Sequence, residues 1–291
     1  MKILIAIGGI DFSKPTLNMG MEIASAFEAS STIAYVGKKI SQFSEKDVSV
    51  VHQSLDNRQL YRPGIRTLEW ACNFLETKGY IDSNSSANFD DHLLIDEDNS
   101  RMKVLLKSKN SDNIDLILRT GEIIDQLRDE VFSNGHDITV VGGGKNKGIY
   151  HDLIEFIHSS ILVVKNFSFN KKYKILLPIN NTKGSKKATE MAIRLAQHYK
   201  TEIHIVYVKD KKEKDVVKSI ETTSNQLSKL KIKNETFLLE GDPVKSITEF
   251  AKDDYIISLG VSNKNPIKNF FFGSKPISIS KQCNCPVLLV K

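Results

Sequence analysis

The stretch from Gly260 to Ser274 holds the residue types best suited to chemistry. An apolar run, Tyr255 to Leu259, ends in Gly260, passes through a polar loop, and re-enters order at Gly273-Ser274 shortly before a second apolar run, Val287 to Val290. A Gly-Ser pair at a helix entry offers backbone N–H groups, a hydroxyl and the positive end of the helix dipole, which suits a phosphate. The same residues also punctuate ordinary turns. The elements around the loop therefore have to decide between the two.

Other groupings carry less. His151, Asp152, Glu155 and His158 fall at metal-like spacing on one short helix, but with no ligand from a second element they read as polar surface. Asp90, Asp91, Asp96, Glu97 and Asp98 invite a calcium loop, yet no glycine sits at its turn and no glutamate closes it. Cys283-Asn-Cys285 has no companion cysteine or histidine nearby, and the three cysteines cannot all pair, so neither zinc nor a disulfide framework is indicated. The segment Gly8 to Ser13 approaches the Ser-Gly-Gly-x-Asp-Ser loop of the ATP pyrophosphatases. Ile7 stands where its first serine belongs, and Phe12 pushes Ser13 one place too far. No serine, histidine and acid arrangement can be assembled, so no catalytic residue is assigned.

With 291 residues, the chain is long enough for two α/β domains that each bury a core. The net charge of +6 comes from lysines spread through the second half and interleaved with acids, the pattern of a solvated face rather than of a nucleic-acid surface. Met1 to Ile10 is too brief for a signal-peptide core and reads as a first strand. No run approaches the length of a membrane span. A cytoplasmic protein without nucleic-acid or membrane partners is expected.

The elements that position the loop emerge from an internal repeat. Lys2 to Val36 aligns without a gap on Lys174 to Val208, with Lys-Ile-Leu, Ser13/Ser185, Lys14/Lys186, Met19/Met191, Ala24/Ala196 and Tyr35-Val36/Tyr207-Val208 coinciding. Each copy reads as strand, turn, amphipathic helix and strand, the opening of a parallel sheet with a right-handed crossover. Later, Gly121 and Gly241 each precede a helix, Asp137 and Asp254 lead into strands that stop at Gly142 and Gly260, and the copies close on "SSILVVK" and "CPVLLVK". The expected architecture is two doubly wound, five-stranded parallel domains, 1–166 and 172–291, with a short linker between them. The first copy carries roughly fifty extra residues before Thr120. This insertion, at about 40–113, is read as a helix from Gly64 to Lys78, with Leu68, Trp70, Ala71, Phe74 and Leu75 on its apolar face, followed by a solvated segment with a short hairpin.

Two such copies, the Gly241-Asp-Pro243 turn with Ile247 on the following helix, and the terminal glycine loop and strand together resemble a tandem universal stress protein. The most specific element is the family's nucleotide loop: Gly, two residues, Gly, nine residues, Gly-Ser/Thr. Here it is spaced as Gly260, Val261-Ser262, Asn263, nine residues, Gly273-Ser274, with asparagine at the second glycine.

The resemblance implies an adenine nucleotide, ATP or AMP, in the C-terminal domain, with Mg²⁺ as an optional companion. Gly260 and Asn263 would lie against ribose and phosphates, and Gly273 and Ser274 would bind phosphate oxygens. Asn180, after Pro178 and Ile179, stands where the family has an aspartate beside adenine and ribose. Val208 matches a position lining the adenine pocket, and Leu259, Lys275 and Pro276 flank the loop. In the first copy Gly8 replaces the acid and the loop is shortened, so that copy is expected to bind no nucleotide and to pair with the second through the last strands. A homodimer is also compatible with this family habit. The alternative is a scaffold of the same family that has lost nucleotide and works through protein contacts. At most slow ATP hydrolysis would accompany the first reading.

Overall fold

Strands covered by helices on both faces read as continuous apolar runs, and the buried strands follow that rule. The computed structural model describes residues 1–37, 62–82, 94–97, 101–104, 113–143, 149–180, 183–209, 213–261 and 275–291. The first half runs β1 (Lys2–Ile7), α1 (Ile10–Ala26), β2 (Ser30–Gly37), α2 (Arg62–Thr77), β3 (Leu94–Glu97), β4 (Arg101–Val104), β5 (Ile114–Thr120), α3 (Ile123–Asn134), β6 (Ile138–Gly142), α4 (Ile149–Phe156) and β7 (Ser160–Val164). The second half runs β8 (Lys174–Pro178), α5 (Lys183–Tyr199), β9 (Ile203–Val208), α6 (Glu213–Lys229), β10 (Asn234–Leu239), α7 (Pro243–Ala251), β11 (Tyr255–Gly260), α8 (Lys275–Gln282) and β12 (Val287–Val290). Among the described residues no helix is long and apolar enough to cross a membrane.

The chain divides into two compact units, one of Met1–Ala24 and Glu28–Thr139, the other of Ser25–Phe27 and Val140–Lys291. In the first, the strand order is β1-β2-β5-β4-β3. β1, β2 and β5 pair in parallel, as the repeat requires. The insertion adds a hairpin, β3 with β4, whose second strand runs antiparallel to β5, with Arg101 opposite Arg119 and Val104 opposite Leu116. The helix expected from Gly64 to Lys78 is α2. Leu68, Ala71 and Leu75 are fully buried on it, and Cys72 joins them. Gly64 lets this helix touch the sheet: a Cβ there would lie 2.3 Å from Leu118 Cδ1 and 2.9 Å from Tyr35 Cδ1.

The cross-strand apposition of two arginines is relieved by a buried carboxylate. Glu130 of α3 accepts from Arg119 Nε at 2.7 Å and from Arg101 Nε at 3.0 Å and Nη2 at 3.2 Å. Asn134 Nδ2 adds a bond at 2.9 Å. The inserted hairpin is thus tied to a helix of the repeat by charge as well as by the strand ladder.

The second unit has the order β10-β9-β8-β11-β12-β7. Its first five strands pair in parallel, in the doubly wound sequence 3-2-1-4-5 of this half. β12 then meets β7 antiparallel, with Val287 opposite Val163 and Leu289 opposite Ile161. Each of these two strands ends in a lysine that caps a helix. Lys165 Nζ donates to the carbonyls of Ser280, Lys281 and Cys283 at the end of α8. Lys291 Nζ donates to the carbonyls of Ile154 and Ile157 at the end of α4. A cation at a helix C-terminus satisfies orphan carbonyls and complements the dipole.

α5 lies against β8 and β11 along a stripe of small residues. Gly184, Ala188, Ala192 and Ala196, spaced by four, are all buried. Ser258 of β11 donates to Ala188 O at 2.8 Å. That close approach shapes the carboxyl edge of the sheet, where open α/β sheets take ligands.

Candidate functional site

At the end of β8 the ladder extends one residue further, with Ile179 N–H bonded to Val206 O at 2.9 Å. The chain then turns back into α5, and Asn180 is locked there. Its N–H donates to Ser185 Oγ at 3.1 Å, and the Ser185 hydroxyl donates to Asn180 Oδ1 at 2.6 Å. The first copy makes the same bond at the matching positions, Gly8 N–H to Ser13 Oγ at 2.9 Å, and its hydroxyl donates to Gly9 O at 3.0 Å. The repeat therefore extends to hydrogen bonding. The two copies differ in what the strand end presents: a carboxamide in one and a bare backbone in the other.

β11 ends in contact with the first turn of α5. A Cβ on Gly260 would lie 2.2 Å from Gly184 C and 2.6 Å from Ser185 N, and one on Gly184 would lie 2.7 Å from Val261 O. Only two glycines allow backbone to approach backbone this closely. Val261 N–H then bonds Val290 O at 2.8 Å and fixes the exit of the strand.

Across from this floor, Gly241 at φ 95° turns the chain into α7. Asp242 caps the helix by accepting from Lys245 N–H at 2.9 Å, and Pro243 occupies the first turn. Replacing Asp242 with alanine is expected to cost about 1 kcal/mol of unfolding free energy in urea titration. The same change at Glu122, which makes no side-chain cap on α3, should cost less.

These edges enclose a cavity of 540 Å³. Pro178, Ile179, Asn180, Val208, Leu259, Gly260, Lys275 and Pro276, all anticipated from sequence, line it. Asn263, Gly273 and Ser274 lie outside the described residues. Ile179, Val216, Ile247, Leu259 and Ile279 supply apolar walls, Lys209 and Lys275 supply positive charge, and no carboxylate occurs among the described lining residues. A concave site that sets convergent polar groups against apolar walls is a form that small-molecule pockets take.

Residues 173–291 match the model of the Universal stress protein family. These residues are a universal stress protein domain. Universal stress protein MJ0531 of Methanocaldococcus jannaschii is 28% identical over 138 residues, which cover 40% of this chain and 81% of that protein. In fold the whole chain is similar to a universal stress protein from Archaeoglobus fulgidus, with a TM-score of 0.60 at 12% identity, covering 100% of this chain and 98% of that one. It is likewise similar to the functionally unknown protein PA1789 from Pseudomonas aeruginosa, with a TM-score of 0.58 at 12% identity, covering 100% and 92%.

The universal stress protein domain also places residues at the cavity that sequence reasoning did not assign to it. Ser185 positions Asn180; its signal was its coincidence with Ser13 in the repeat. Gly241, Pro243 and Ile247 were legible as a turn and a helix, but nothing local shows that this turn faces β8 and β11. Gly184 had no signal at all, because its role exists only against Gly260.

Proposed function

We propose that the universal stress protein domain binds an adenine nucleotide, ATP or AMP, in the cavity at the carboxyl edge of β8, β9 and β11, and serves a regulatory role with at most slow ATP hydrolysis. One observation carries this reading: residues from separate stretches of sequence meet at a single cavity that has apolar walls, two lysines and no carboxylate among its described lining residues. Apolar walls suit a base, the Asn180 carboxamide suits hydroxyl or ring-nitrogen partners, and Lys209 and Lys275 suit phosphates, with Mg²⁺ an optional companion. In this proposal Asn263, Gly273 and Ser274 complete the phosphate contacts.

The first copy, residues 1–166 with its insertion at about 40–113, acts as the structural partner of 172–291 in an internal pseudo-dimer within a cytoplasmic protein. The antiparallel β7–β12 pairing and the lysine caps at their ends support that arrangement. It leaves room for a homodimer.

Isothermal titration of the full chain with ATP and Mg²⁺ tests the nucleotide reading. Saturable binding is expected, weakened about ten- to a thousandfold by combining Ser274→Ala with Gly273→Val, since each lost bond to a charged phosphate is worth about 1.5–3 kcal/mol. No heat and no thermal shift at millimolar ATP would overturn it in favour of a scaffold working through protein contacts.

A further inference from the structure

The amino-terminal edge of the same sheet, in the second unit, carries another concave surface, a cavity of 670 Å³. Among the described residues its lining includes Lys172, Lys174, Lys200, Lys231 and Lys233 and a single carboxylate, Glu202. That carboxylate is shared. Lys174 Nζ and Lys233 Nζ each lie 2.7 Å from a different Glu202 oxygen, and His204 Nε2 lies 3.1 Å from the first. Hydrogen bonds from Lys174 and then Lys233 hold the Glu202 carboxyl down to about 2, so it stays anionic at any physiological pH.

Lys200 and Lys231 follow the last turns of α5 and α6 in the left-handed region, at φ 48° and 57°. Glycine is the usual residue there, and a side chain is accommodated at a cost. Closing bonds, Thr201 N–H to Ala196 O at 3.0 Å and Ile232 N–H to Leu227 O at 2.9 Å, fix both corners. Lysine at a helix C-terminus also offsets the dipole, but that need is small. Two helix ends contribute about −0.5 charge each. Together with Glu202, and with Glu235 at 4.0 Å from Lys233 Nζ, they leave an excess of about two positive charges around one cavity.

Among the described residues the lining contains no aromatic ring, so they do not provide for stacking of a nucleobase. The volume is that of a small-ligand site. We propose that this cavity binds an oligophosphate, a chain of linked phosphate groups without a base, held by Lys172, Lys200 and Lys231 together with the Glu202-tethered pair Lys174 and Lys233. The site is separate from the nucleotide cavity and does not depend on it.

Titration of the full chain with inorganic tripolyphosphate at low ionic strength tests it. One saturable event is expected, weakening as salt is raised because the lysines are exposed. Affinity should fall about tenfold or more in Lys200→Glu/Lys231→Glu. A Lys200→Gly/Lys231→Gly variant removes the charge while keeping the left-handed corners, and should also lose affinity with its thermal midpoint undiminished. Binding should persist in the Ser274→Ala/Gly273→Val variant. No heat at millimolar tripolyphosphate, parental affinity in both lysine variants, or loss of binding in the Ser274 and Gly273 variant would each overturn the proposal.

Discussion

Gly260→Ala is expected to cost about 1–3 kcal/mol of stability or more and to abolish any nucleotide-induced rise in thermal midpoint. The added methyl group would sit 2.2 Å from Gly184 C and 2.3 Å from its carbonyl oxygen. Both are backbone atoms of a helix packed along its small-residue stripe, and unlike the tip of a side chain they cannot swing aside. Either α5 tilts away from β11 or the strand end shifts, and both movements deform the cavity floor and the Asn180–Ser185 lock above it. Gly8→Ala is the control. A Cβ there meets nothing within 4 Å, and its melting should match the parent. Equal urea midpoints for parent and Gly260→Ala would show that the Gly184–Gly260 contact does not constrain the site.

Glu130→Ala should lower the unfolding free energy by about 3–5 kcal/mol, since it leaves Arg119 and Arg101 beside each other with their shared counter-ion gone. Glu130 is fully buried, and Arg119 is 4% exposed. Gln126 would still hold Arg119 through its Oε1 at 3.0 Å, but a neutral amide does not replace a charge. The same network predicts acid sensitivity. Burial acts to raise the Glu130 carboxyl, and the hydrogen bonds and charges of Arg101 and then Arg119 outweigh it, leaving the group below the ordinary carboxylate value.

A carboxyl depressed in the folded state contributes its full stability above the unfolded value of about 4.3 and loses it as pH falls through the folded one. His136 adds an earlier step. Its ring lies between Thr32 Oγ1 and Glu130 O, and burial holds its affinity for protons below normal. The unfolded chain therefore gains a proton first as pH drops below about 6.5, and stability falls with it. Urea midpoints measured from pH 7 to pH 3 should decline in both windows. Glu130→Ala should flatten the lower one, and an unchanged slope there would rule Glu130 out as its source.

Much of this molecule is legible without coordinates. The ungapped match of Lys2–Val36 with Lys174–Val208 announces the βαβ units, because strand and helix periodicities are local properties of a chain. Gly241, Asp242 and Pro243 declare a turn and a capped helix for the same reason: left-handed backbone, an N-cap acceptor and a preset φ are each carried by one residue. The helix of the insertion is likewise visible in the spacing of Leu68, Ala71 and Leu75.

What was hidden depends on which strands become neighbours. Arg101 and Glu130 are 29 positions apart, and nothing near either shows that β4 will lie against β5 and bring both arginines to one carboxylate. Gly184 looks like a poor helix residue until β11 is placed against it, when it becomes the condition for the cavity floor. Five lysines scattered from 172 to 233 look like a solvated face until β8, β9 and β10 align their starts around one hollow. The sequence by itself determined the elements and their repeat, since those rest on interactions between residues a few positions apart. Tertiary structure alone decided which distant groups share a dielectric environment and a surface, because close backbone approach and buried charge have no meaning before the sheet has assembled.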